Sequence, residues 1–111
     1  MKMNPCPVPL EAAASAFAAL GSEQRLAVLR ILVRAGPEGL SIGELGHRSG
    51  VTGSTLTHHM KILSAAGLVQ QRKKGRSIIC AAVAYDDVLA LSKFLLQECC
   101  ADCAGSEHSH G

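Results

Sequence analysis

Helix-stopping residues cut this chain into short pieces, and no piece can fold alone. Gly36-Pro37, Gly50 and Gly67 each follow a stretch of apolar periodicity, and Gly75 sits between two strand-like runs. Proline cannot continue a helix, and glycine is favoured just past a helix end. Segments of this length leave an apolar face that only packing against other segments can cover. With 111 residues in all, the chain is one domain's worth.

Residues 1–9, with Pro5, Pro7 and Pro9, form an irregular leader. Residues 10–20 are Ala-rich and favour helix. Ser22 is placed to cap a second helix, whose apolar face holds Leu26, Leu29, Ile31, Leu32 and Val33. Ser41 with Glu44 three residues on makes a capping box for a short helix carrying Ile42 and Leu45. Thr52 is expected to cap the next, on which Leu56, Met60 and Leu63 share a face. Residues 68–72 and 77–81 read as strands joined by a turn at Lys73-Lys74-Gly75-Arg76. A last helix opens at Tyr85 or Asp86, with Val88, Leu91 and Leu95 in one stripe and Leu89 and Leu96 widening it. The folded domain is expected over 10–103 and a flexible polar tail over 104–111. The predicted class is mainly α with a β-hairpin: four helices, the hairpin, then a helix.

Composition narrows the function. Hydrophobic residues make up 48% of the chain, which argues against disorder, but aromatic residues are only 3%. Base stacking on an aromatic platform is therefore excluded. A core built from Ala and Leu in so short a chain is thin, and leaves surface for a second copy to cover. No stretch approaches the ~18 apolar residues of a membrane span. The Pro-containing start lacks the apolar run of a secretory signal, so a cytoplasmic location is expected.

Charge is unevenly spread. The formal net charge is +2, yet residues 45–85 carry Arg48, Lys61, Arg72, Lys73, Lys74 and Arg76 and no acid. Residues 86–111 carry Lys93 against Asp86, Asp87, Glu98, Asp102 and Glu107. A basic centre of this kind is the footprint of a polyanion-binding face. It coincides with the helix pair 41–48 and 53–66, joined by a short Gly-containing turn, which has helix-turn-helix spacing. The second helix of such a pair can enter the major groove of double-stranded DNA. Opposite its apolar face lie Ser54, Thr55, Thr57, His58 and Lys61, all able to meet bases or phosphates. Arg72, Lys73, Lys74 and Arg76 at the hairpin suit a phosphate backbone. His59, beside Met60, reads as a packed or capping histidine rather than a base reader. His47 reads as a surface residue at the end of its helix.

Leu20-Gly21-Ser22-Glu23-Gln24-Arg25-Leu26, Ile42-Gly43-Glu44-Leu45 and Ser54-Thr55-Leu56-Thr57-His58-His59-Met60-Lys61-Ile62-Leu63 give the sequence a resemblance to the ArsR/SmtB metalloregulatory repressors. The resemblance extends through Ala66-Gly67-Leu68-Val69 and Arg72-Lys73-Lys74-Gly75-Arg76, and covers about Leu10 to Cys100. It implies a winged helix-turn-helix homodimer, paired through its first and last helices, that represses an operon and releases the operator when an inducer binds.

Five cysteines are present, three of them within five residues: Cys99, Cys100 and Cys103. In a reducing compartment such a cluster points to metal binding or redox chemistry rather than a disulfide framework. Thiolates select soft ions, and three without a nearby histidine suit a pyramidal As(III) or Sb(III) centre better than tetrahedral zinc. Two adjacent thiols suit a methylated arsenical. The bland alternative is apolar packing at a dimer seam, since buried free cysteine behaves as a small hydrophobe. The resemblance implies where family ligands would lie. Gly46-His47 follows Glu44-Leu45 where some members carry cysteines, and the last helix has no histidine before its end to join Asp86 and Asp87. What is left resembles the arsenic-responsive subgroup with late cysteines.

Three other readings stay open. A sulfur or redox sensor would bridge Cys100 and Cys103. A zinc or cadmium sensor would draw on His108 and His110 of the tail. A small thiol enzyme is disfavoured because no base lies beside the cysteines in sequence. Cys80, between Ile79 and Ala81, reads as core, and Cys6 as exposed.

Overall fold

A computed structural model of the chain describes residues 8–51, 53–83 and 85–103. Helix starts follow the predicted hydroxyl caps. Ser22 Oγ accepts from the Arg25 N–H at 3.3 Å, and Ser41 Oγ accepts from the Glu44 N–H at 3.1 Å. These bonds satisfy backbone donors that have no partner inside the helix. The cap predicted at Thr52, most of the 1–9 leader with Cys6, and the 104–111 tail lie outside the described residues.

The helices are α1 (Leu10–Ala19), α2 (Glu23–Ala35), α3 (Ile42–Ser49), α4 (Gly53–Ala65) and α5 (Tyr85–Leu96). Three strands accompany them: β1 (Leu40–Ser41), β2 (Val69–Lys74) and β3 (Ser77–Ala82). The expected order stands, with β1 added. The sheet runs β1-β3-β2 and is antiparallel throughout, with Leu40 opposite Cys80 and Val69 opposite Ala82. Gly39 makes the β1 pairing possible. Its φ is +74°, and a Cβ there would collide with the Cys80 carbonyl.

The hairpin is longer than residue order suggests. Lys73 and Lys74 are paired strand residues, opposite Ile78 and Ser77, so the turn holds only Gly75 and Arg76. Two-residue turns match the twist of paired strands, and a glycine supplies the positive φ such turns need. Here Gly75 has φ +62°.

Val28, Leu29 and Leu32 from α2 meet Leu45, Leu56, Met60 and Leu63 from the helix pair, and Leu68, Val69 and Cys80 from the sheet. Ala13, Ala16 and Ala19 bring α1 onto this core along a stripe of small side chains. On α5 only Leu91 is buried, while Val88 and Leu89 are half-buried. Leu95 and Leu96 stay exposed at 66% and 64%. The predicted α5 stripe is therefore covered only over its first turns, and its later leucines stay exposed, as Leu10 is on α1.

Candidate nucleic-acid interface and thiol cluster

The turn between α3 and α4 is fixed locally. Gly50 closes α3 in the left-handed region, and its N–H returns to the Gly46 carbonyl at 2.9 Å. Ser49 Oγ accepts from the Val51 N–H at 3.1 Å. A Cβ at Gly46 would stand 3.3 Å from the Val51 carbonyl, so the absence of a side chain there lets the turn fold close.

This geometry sets the two faces of α4. Leu56, His59, Met60 and Leu63 are buried, and Ser54, Thr55, Thr57, His58 and Lys61 are all exposed. The five residues assigned to DNA thus share the open side of the second helix of the pair. Thr57 uses its hydroxyl hydrogen on the Gly53 carbonyl at 3.4 Å, which leaves its oxygen lone pairs as acceptors.

The hairpin splits its cations between faces. Opposed residues in an antiparallel pair share a face, and successive residues alternate. Arg72 and Lys74 therefore stand with Ile79 and Ser77, and Lys73 stands with Ile78 on the other side. All four basic residues of the hairpin, Arg76 included, are exposed. Arg48 differs from the other central cations: it donates to Glu44 at 2.9 Å across one turn of α3. The acid-free stretch thus has one of its charges answered by an acid lying just before it.

His59 is packed, as expected, and has a specific partner. Its Nε2 lies 2.9 Å from Gln24 Oε1 on α2, so the ring donates to that amide. Burial, then the Arg25 charge and His58, hold its pKa below the ordinary 6.5. Arg25 in turn donates from Nε to the Ala19 carbonyl at 2.7 Å, tying α2 to the end of α1. Periodicity gives no sign of the Gln24–His59 contact, which joins residues 35 apart in sequence.

The thiol cluster lies past α5, not on it. Regular helix ends at Leu96, and single turns follow: the Cys99 N–H bonds to Leu96 and the Cys103 N–H to Cys100. Cys100 has φ +64°, so the three thiols are not spaced as they would be on a continuous helix. The adjacent thiols still meet, with Cys99 Sγ and Cys100 Sγ 3.5 Å apart. Hydrogen bonding to Cys99, with burial and a bond to Cys103, raises the Cys100 thiol pKa. Among the described residues no three His, Cys, Asp or Glu side chains gather into a metal-holding group. His108 and His110 fall outside those residues. Cys80 is fully buried, and burial raises its pKa as well. No helix among the described residues is long and apolar enough to cross a membrane.

Comparison with known proteins agrees with this geometry. Residues 20–72, from the end of α1 into β2, match the family model described as "Helix-turn-helix domain". The chain is 42% identical over 64 residues to the uncharacterised HTH-type transcriptional regulator YceK of Bacillus subtilis, a match covering 58% of this chain and 63% of that protein. An ArsR-like transcriptional regulator from Rhodococcus sp. RHA1 superposes with a TM-score of 0.68 at 30% identity, over 83% of this chain and 82% of that one. A homodimeric winged helix-turn-helix DNA-binding domain from Mycobacterium bovis superposes with a TM-score of 0.65 over 89% and 90%. Its 21% identity speaks for the fold alone. With α3–α4 as the helix pair and β2–β3 as the wing, the chain belongs to the ArsR family of winged helix-turn-helix transcriptional regulators.

Proposed function

We propose that this chain is a homodimeric repressor that leaves its operator when trivalent arsenic binds its C-terminal thiols. The carrying observation is that Cys99 and Cys100 stand 3.5 Å apart just past α5, in a chain whose α4 has an exposed polar face suited to DNA. Two adjacent thiols suit methylarsenite, and Cys103 is the third sulfur for arsenite or antimonite. Arsenite exchanges its hydroxyls for thiols, with one water leaving per sulfur.

The exposed leucines of α5, together with Leu10 on α1, supply the surface for a second copy. A two-fold dimer then presents two copies of α4 to successive major grooves, about 34–36 Å apart. The inducer must bind the DNA-incompetent state more tightly, and a coupling of ~1–3 kcal/mol lowers operator affinity ~5–150-fold.

Operator release is followed by fluorescence anisotropy on a duplex selected for binding, across arsenite, methylarsenite, antimonite, zinc, cadmium and a persulfide donor. Release by arsenicals that is lost in a Cys99→Ser/Cys100→Ser variant supports the reading. Full release in that variant moves the sensor elsewhere. Release by persulfide alone selects the sulfur-sensing reading. Release by zinc or cadmium, abolished when residues 105–111 are removed, selects the tail histidines.

A further inference from the structure

A concave site is lined by neither the thiols nor any residue of α4. A groove of about 610 Å³ opens between the end of α2, the outer face of the sheet and the first turns of α5. That volume falls within the ~300–1,000 Å³ typical of small-molecule sites. Val33, Val83 and Val88 wall it, while Gln70, Arg72 and Tyr85 contribute the polar groups.

The strand register explains the hollow. Gln70 stands opposite Ala81, so a methyl group occupies the place where a larger side chain would fill the sheet surface. Arg72, two residues on, points to the same face. Among the described residues Arg72 has neither an ion-pair nor a hydrogen-bond partner. No acid lines the groove; Asp86 and Asp87 follow Tyr85 on α5 but are not part of its lining. The site thus combines apolar walls with one unanswered, permanently charged guanidinium, whose planar fork matches a carboxylate.

We infer that this groove binds a small amphipathic carboxylate, its chain along the valines and its head on Arg72. Binding there stands on the groove alone. One consequence rests on the proposed function: a carboxylate on Arg72 withdraws one wing cation from DNA.

The chain offers its own reporter. Tyr85 is the only tyrosine and there is no tryptophan, so tyrosine emission of the full-length protein reads this groove. Sodium octanoate is the probe. A saturable change in emission is expected. Arg72→Gln and replacement of octanoate by octan-1-ol each weaken binding about tenfold, the effect of losing one charge-assisted hydrogen bond. Val88→Phe fills the groove and removes the saturable change, with an unchanged denaturation midpoint showing that the fold persists. An unsaturable response, equal affinity for octan-1-ol, or full octanoate affinity in Arg72→Gln overturns the inference. Dissociation of the dimer in Val88→Phe, seen by sedimentation, also overturns it by showing that a second copy occupies the groove. Failure of DNA binding in the anisotropy assay leaves the octanoate result intact, so the two readings fall separately.

Discussion

His59 on α4 donates to Gln24 on α2 across 2.9 Å, and its other ring nitrogen, Nδ1, is buried without a partner. The ring is therefore held neutral, with its pKa below 6.5. The unfolded chain takes up a proton near pH 6.5 and the folded chain resists it until lower pH. The contribution to stability is fully present above pH ~6.5 and is lost as pH falls through the lowered folded value. Denaturant midpoints at pH 7.5, 6.5 and 5.5 should decline more steeply in the wild type than in His59→Asn. Parallel declines would show that other groups carry the pH dependence.

On the DNA side, phosphate-binding and base-reading residues separate by salt. Replacing Lys61, Arg72 or Arg76 with Ala should reduce the slope of log affinity against log salt by about 1 for each phosphate no longer neutralised, with little change in sequence preference. Replacing Ser54 or Thr55 with Ala should relax preference at single base pairs, at about 1–3 kcal/mol each, and leave the slope alone. Anisotropy titrations at several salt concentrations on matched and mismatched duplexes measure both.

The thiols predict a ranking. Cys99→Ser and Cys100→Ser should each abolish release by both arsenite and methylarsenite, because their pair is the preformed part of the site. Cys103→Ser should impair the arsenite response and spare the methylarsenite response. The arsenite midpoint should change little between pH 6.5 and 7.5, since water leaves and no net proton is released. A zinc response would instead strengthen as pH rises, because zinc must displace thiol protons. A steep pH dependence with arsenite would count against direct thiol exchange.

Two substitutions test how the small sheet is held. Gly39→Ala drives a methyl group into the Cys80 carbonyl at a positive φ, and should cost more than about 1 kcal/mol. Ser41→Ala removes the cap on Glu44 and should cost about 1 kcal/mol. Chemical denaturation followed by circular dichroism reads both. Wild-type stability in Gly39→Ala would mean that the β1–β3 pairing opens at little cost.

Caps and periodicity are local properties, so Ser22, Ser41, Gly50 and the Leu56/Met60/Leu63 face can be read directly from residue order. What escapes such a reading depends on partners distant in sequence. β1 is two residues long and has no period to detect; it exists because Gly39 allows Leu40 to reach Cys80. Lys73 and Lys74 carry turn-like polarity, yet pairing with Ile78 and Ser77 makes them strand. The end of α5 is equally hidden, because the Gln, Glu and Cys that follow Leu96 include no helix breaker. The exposed side of α4 is legible residue by residue. The Gln24 tie and the groove beneath Arg72 arise only when separate elements meet.

The buried Cys80 makes this protein a recorder of its own opening. Its sulfur is fully buried in the core, on the strand that pairs with β1, while Cys99 and Cys103 are exposed. A thiol reagent will consume Cys99 and Cys103 first and wait for the domain to open before it marks Cys80. The lag between the two labels is then a clock for opening of the core, readable in a cell extract without purification or an added dye.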